Sequence, residues 1–233
     1  MKNTSGIQPQ QQKCLALLIS ALLLFSCTSE KNETSSMNYY FVFLNTNPDR
    51  IPLDSASVMQ LQEGHMANIQ RLADEKKLVI AGPFYTGGGI FIFQAGSIDS
   101  VNGWLTTDPA IRANRFKLEL YPLETQYGKL CVVDSVYHMV TYQFTRYSPA
   151  DPALDPLRSV TYKNFVEKLS ADSLLIYSGL FANDKREGFL ITDIPDSVTA
   201  VTRLNELELV QLGGVRTNTR KLWIAKESFC PEG

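Results

Sequence analysis

One unit is written twice in this chain, at an offset of 97 residues. Arg71-Leu72 and the run Leu78-Val79-Ile80-Ala81-Gly82-Pro83-Phe84 correspond to Lys168-Leu169 and Leu175-Ile176-Tyr177-Ser178-Gly179-Leu180-Phe181. Asp99-Ser100-Val101 and Asp196-Ser197-Val198 keep the same spacing. Self-similarity at a fixed period constrains the architecture before any other feature, because each copy must fold as the same supersecondary unit.

Each copy carries the same order of elements. In the first, Tyr39–Leu44 is dense in aromatic and β-branched residues and reads as a strand. A helix follows from about Ser55 to Lys76, with Val58, Leu61, His65, Ile69 and Leu72 at helical spacing. Leu78–Ala81 is a short apolar strand ended by Gly82-Pro83, and Gly87-Gly88-Gly89 turns into the strand Ile90–Gln94. Ser97 caps a second helix carrying Val101, Trp104 and Leu105, and Phe116–Tyr121 alternates apolar and polar positions as a closing strand. The second copy repeats the order with Val140–Phe144, a helix near Leu157–Ala171, Leu174–Tyr177, Phe189–Thr192, a helix near Ser197–Leu204, and Lys221–Ala225. The order βαββαβ is the ferredoxin-like arrangement. The expected class is therefore α+β, with two tandem ferredoxin-like units packed sheet to sheet as an intrachain pseudo-dimer. The units span residues 39–130 and 131–233, the second serving as the first one's partner.

The N-terminus has the form of an export signal. Lys2 and Lys13 precede the apolar run Leu15–Phe25, which is too short to cross a bilayer as a helix. The run exits through Leu24-Phe25-Ser26-Cys27, which resembles the lipobox cut by the lipoprotein signal peptidase. Ser26 is small enough for a cleavage pocket, and the Cys27 thiol is the nucleophile that takes the lipid. Residues 1–26 are read as a lipoprotein signal peptide, and 27–38 as the lipidated cysteine and a polar tether. The expected location is the cell envelope, held to the membrane by a lipid anchor. Thr28, rather than Asp, after the cysteine favours the outer membrane of a Gram-negative cell by resemblance to known sorting rules.

Cleavage after Ser26 removes two lysines and no acid, so 22 basic and 24 acidic residues become 20 and 24, and the net charge moves from −2 to −4. A nucleic-acid footprint is thereby excluded. Two histidines in the chain, with no CxxC or HxxxH spacing, leave no basis for a protein-only metal site, and no cofactor is expected. Cys131 and Cys230 stand at similar positions at the ends of the two copies, and an oxidising envelope would allow them to pair.

Taken together, Gly64-His65-Met66, Leu78 to Phe84, Gly89-Ile90-Phe91-Ile92-Phe93 and Asp108-Pro109 resemble the YCII-related domain family. The resemblance covers about Tyr39 to Leu123 and implies a dimeric, ferredoxin-like α/β-barrel fold. It also implies an active pair, a histidine early in the first helix and an aspartate in the Asp-Pro step, which fall here on His65 and Asp108. The corresponding positions of the second copy are Tyr162 and Asn205, so one copy alone retains a titratable pair. A lipidated, fused version departs from a family whose members are mostly soluble and intracellular.

On the residues themselves two readings stand for each position. His65 lies on the apolar stripe of its helix, either as a core histidine or as an acid–base group. Gly64 before it weakens a helix by about 1 kcal/mol against alanine and so needs a reason, such as a close approach. Asp108 is either a turn residue before proline or the carboxylate that orients His65. The triple glycine at 87–89 reads as a hairpin rather than a phosphate cradle, since no GK[ST] follows. Tyr85, Phe91 and Trp104 are core or cavity residues, Arg112 and Arg115 are solvated or hold an acidic ligand, and His138 is given no role. Three functions remain open. One is a cofactor-free lyase or isomerase acting on a small oxygenated molecule through His65 and Asp108. The others are a non-catalytic module that binds a small-molecule ligand and a purely structural lipoprotein.

Overall fold

The computed structural model describes residues 38–133, 137–150, 167, 171, 174–183, 187–211 and 213–230. The last residue of the expected tether, Asn38, opens the first strand, while residues 1–37, with the expected export signal, Cys27 and the rest of the tether, lie outside the described residues. So does the helix expected near Leu157–Ala171, with Tyr162, except at Glu167 and Ala171. No helix among the described residues is long and apolar enough to cross a membrane.

The first half runs β1 (Asn38–Thr46), α1 (Ser55–Asp74), β2 (Leu78–Pro83), β3 (Gly89–Ala95), α2 (Ile98–Leu105), α3 (Pro109–Arg112), β4 (Phe116–Tyr127) and β5 (Lys129–Leu130). The second runs β6 (Met139–Pro149), β7 (Leu175–Phe181), β8 (Gly188–Thr192), α4 (Ser197–Asn205), α5 (Glu208–Gln211), β9 (Val215–Ala225) and β10 (Phe229–Cys230). Local chemistry sets the helix starts. Asp54 accepts the Ser57 N–H at 3.0 Å to begin α1, Ser97 accepts that of Ser100 at 3.2 Å for α2, and Asp196 accepts that of Thr199 at 2.8 Å for α4. The triple glycine makes the expected hairpin: Gly88 has φ of +72°, and a Cβ there would stand 2.2 Å from the Leu44 carbonyl oxygen.

The chain is α+β, and eight of its strands form a single antiparallel sheet in the order β2-β3-β1-β4-β7-β8-β6-β9. Two separate sheets were expected; instead the sheet is continuous and curls until its outer strands meet. Leu123 pairs with Phe181 where β4 meets β7, and Phe84 bridges to Leu222 where β2 meets β9. Open sheet edges leave rows of unpaired N–H and C=O groups, and joining both edges into a barrel removes them.

The barrel interior is filled by side chains from both halves. Phe41, Phe43, Phe144, Phe181 and Phe189 are fully buried there, with Phe41 and Phe189 ring centroids 4.7 Å apart and Phe144 and Phe189 5.2 Å apart. Each such ring contributes about 1.5–3 kcal/mol by leaving water. The alternate residues of β1 (Tyr40, Val42 and Leu44) pack outward against Leu72 of α1 and Val101 and Leu105 of α2. Burial on both faces explains why β1 is apolar throughout rather than alternating. On β4, Phe116, Leu118 and Leu120 face the helices as the alternation predicts. Its other face is not solvent, however: Tyr121 and Leu123 belong to the barrel interior. In α1 burial is narrower than the expected stripe. Val58 stays 44% exposed, and only Asn68 and Leu72 are buried.

Past the barrel, β5 pairs with β10, and a disulfide joins Cys131 to Cys230.

Candidate active site

The site stands outside the barrel wall, between α1, the short helix α3 and the sheet. Pro109 follows Asp108 and occupies the first turn of α3, where a missing N–H costs nothing. Asp108 is the N-cap of that helix: its Oδ1 accepts the N–H groups of Ala110 at 2.8 Å and Ile111 at 3.2 Å. This cap fixes the carboxylate and leaves Oδ2 pointing at α1. His65 Nδ1 meets Oδ2 at 2.6 Å. The Asp108 side chain is 1% exposed and that of His65 12%.

Gly64 lets these helices come together. A Cβ at that position would stand 2.9 Å from Cγ of Pro109, so the glycine serves the close approach of α1 and α3. The imidazole lies against two rings, with centroids 5.9 Å from Phe91 and 5.7 Å from Phe116. Behind it, Asn68 sends its amide toward Asp108 Oδ2 at 3.4 Å. The Asn68 carbonyl accepts from Thr107 Oγ1 and from an Arg71 Nη, both at 2.8 Å, and Arg71 also donates to Thr107 at 2.8 Å. Asn68, Arg71 and Thr107 did not stand out in the sequence as site residues. The usable signal was Asn68, a polar residue three positions after His65 on an otherwise apolar stripe.

With the carboxylate ionised, its Oδ2 accepts a hydrogen bond from the Nδ1–H group, which fixes the imidazole in one tautomer and leaves Nε2 as the basic nitrogen. The carboxylate also supports the imidazolium that forms when Nε2 takes a proton. Such a pair can remove or return a proton at a carbon or oxygen within its reach.

Among the described residues of the second half this arrangement does not recur. Asn205 is the last residue of α4, so it does not stand where Asp108 stands. The place before α5 belongs to Leu207, whose carbonyl accepts the Gln211 N–H at 3.0 Å, just as that of Asp108 accepts the Arg112 N–H at 3.0 Å. Leu207 is 6% exposed and apolar, so no carboxylate occupies this place in the second half.

No protein-family model and no curated protein matches this chain. Among solved structures it is similar to two proteins described as putative monooxygenases. One, from Fusobacterium nucleatum subsp. nucleatum, is 11% identical with a TM-score of 0.48, over 84% of this chain and 95% of that one. The other, from Lactobacillus acidophilus, is 10% identical with a TM-score of 0.47, over 84% and 97%. A protein described as a putative chlorite dismutase is 12% identical with a TM-score of 0.49, over 82% and 94%.

The remaining sequence candidates lie apart from the pair. Arg115 donates to the Ile51 carbonyl at 2.7 Å, and with Arg50 it lines a surface groove that neither His65 nor Asp108 borders. Arg112 and His138 are exposed. Tyr85 is 63% exposed and bonds Thr141 at 2.9 Å, while Trp104 packs against Phe93 with centroids 5.9 Å apart, so neither joins Phe91 at the imidazole.

Proposed function

We propose that this chain is an envelope-anchored, YCII-like protein. In this reading it is a cofactor-free lyase or isomerase that moves a proton on a small oxygenated molecule. His65 acts as the acid–base group through Nε2, and Asp108 positions it. One observation carries the reading: the 2.6 Å contact between His65 Nδ1 and a carboxylate that the fold has already fixed by capping α3. A core histidine needs only one backbone acceptor. Here a buried carboxylate and the buried Asn68 lie beside it, tied to Arg71 and Thr107 at the surface, and burying the first two has a cost that function offsets.

The two halves are read as ferredoxin-like copies, the second acting as the structural partner of the first. Support comes from the seams, where Phe84 with Leu222 and Phe181 with Leu123 are the same repeat positions meeting twice. The chemistry is tested with the protein in deuterium oxide and a panel of small 2-oxo acids and lactones. Exchange at the carbon beside the carbonyl is expected in wild type and lost in His65→Ala. Equal exchange in the two proteins would leave a module that binds or scaffolds, the reading favoured by the rings of Phe91 and Phe116 against a mostly buried imidazole.

Anchoring rests on the signal and on Cys27. The Cys131–Cys230 disulfide adds support, since such bonds persist in oxidising compartments. Wild type is expected in the detergent phase of a phase-separation experiment and Cys27→Ala in the aqueous phase. Identical partitioning of the two would remove the lipid anchor from the proposal.

A further inference from the structure

A second polar cluster lies on the opposite side of the sheet, at one mouth of the barrel. Arg146 of β6 stands over the ring of Phe43, 4.6 Å from its centroid, and takes up both nearby acids. Its Nη1 donates to Glu119 at 2.9 Å, its Nε to Glu187 at 2.8 Å, and its Nη2 to the Tyr121 hydroxyl at 3.1 Å. Glu119 also accepts from Asn45 at 2.6 Å and from Tyr121 at 2.7 Å. Burial alone would raise the Glu119 carboxyl. The bonds from Tyr121, Arg146 and Asn45 outweigh it and hold the group below the usual carboxylate range. Burial and the bond to Glu119 push Tyr121 up to about 12. This network is closed on itself.

Arg220 of β9 stands outside it. Its guanidinium lies over Phe84, 3.6 Å from the ring centroid, and 5.8 Å from that of Phe43. Its Nε is buried and has no hydrogen-bond partner among the described residues. A cation resting flat on a ring keeps its N–H donors in the plane of the fork, where the ring cannot accept them. Desolvation of this donor is therefore not offset by any protein acceptor in the cluster. Burial, with the charge of Arg146 beside it, works against the protonated form.

We infer that the barrel mouth at Arg220 is a binding site for a small monocarboxylate, separate from the His65–Asp108 pair. The planar fork of Arg220 matches the two oxygens of a carboxylate. Phe84, 4% exposed beneath the guanidinium, and the fully buried Phe43 hold Arg220 in place from below. Glu119 and Glu187 are both taken up by Arg146, so the guanidinium of Arg220 is the cation of the cluster left to meet an anion. A phosphate dianion would be repelled by Glu119 and Glu187, which are already committed to Arg146.

The test titrates the intact mature protein with sodium benzoate, with neutral benzamide and inorganic phosphate as comparisons. The Nε–H resonance of Arg220 is followed alongside the calorimetric isotherm. Benzoate is expected to shift that resonance saturably and to bind more tightly than either comparison. Arg220→Met, which keeps the packing on Phe84, is expected to weaken benzoate by about tenfold or more. Arg220→Lys keeps the charge without the fork and is also expected to weaken it, which preserves the test should the methionine variant not fold. His65→Ala is expected to bind benzoate as wild type does. The inference is overturned by no saturable shift, by benzamide or phosphate binding as well as benzoate, or by unchanged benzoate affinity in the folded Arg220 variants.

Discussion

Replacing Cys131 and Cys230 together with serine is expected to lower stability by about 4–5 kcal/mol, the largest loss expected of any change that leaves the core intact. The bond joins residues 99 positions apart. In the chain-entropy account, closing a loop of about 100 residues removes roughly 4.7 kcal/mol of freedom from the unfolded chain. The folded state loses little in the serine variant, because β5 still pairs with β10 and Phe229 remains 3% exposed against Tyr177, ring centroids 5.0 Å apart. The effect therefore acts through the unfolded ensemble. A chain of this size should lose roughly 8–20 °C in Tm, at about 2–4 °C per kcal/mol. Denaturant unfolding of the oxidised protein and the serine variant measures it directly. A difference under about 1 kcal/mol would mean that the bond does not constrain this chain.

Much of this fold was legible because hydrophobic patterning, caps and turn residues mark most strands and their faces. The strands around Tyr39–Leu44 and Ile90–Gln94, the cap at Ser97 and the glycine hairpin needed only local chemistry. What was not legible is how the two halves meet. Pairing of Leu123 with Phe181 and the bridge of Phe84 to Leu222 depend on backbone edges, which carry no side-chain signature. For the same reason β4 and β9 run well past their expected ends: the added residues of β4 pair with β7, and those of β9 with the extended β6. Val58 shows the opposite failure, an apolar residue in the right register that stays 44% exposed.

At the site, residue types pointed to His65 and Asp108, but not to the division of labour within the aspartate. That Oδ1 caps α3 while Oδ2 holds the imidazole is a three-dimensional fact. In the sequence the Asp-Pro step admits a turn residue or an orienting carboxylate, and one carboxylate fills both geometric roles. Gly64 likewise needed the structure: the close approach is by Pro109. The offset of 97 misplaced the second-half counterpart, because two more residues precede α5 than the first half has before α3. Leu207 takes the place assigned to Asn205.

That dual role makes two substitutions at Asp108 separate in their effects. Asp108→Ala removes the cap and strands a mostly buried imidazole nitrogen. A lost N-cap costs about 1 kcal/mol, and an unpaired buried polar group about 1–3 kcal/mol, so a loss of roughly 2–4 kcal/mol is expected. Asp108→Asn keeps an oxygen for Ala110 and Ile111 and should stay within about 1 kcal/mol of wild type. Its amide would donate to Nδ1, however, and move the imidazole proton to Nε2, so the basic nitrogen would face the amide instead of a substrate. Nitrogen-15 shifts of His65 report this exchange of tautomers without a substrate. Where the chain exchanges protons on a carbonyl compound, the asparagine variant should lose about a hundredfold to ten-thousandfold in rate, the usual range for a general acid–base group. A purely structural pair gives another pattern: Asp108→Asn keeps the exchange rate, and only Asp108→Ala, through unfolding, loses it.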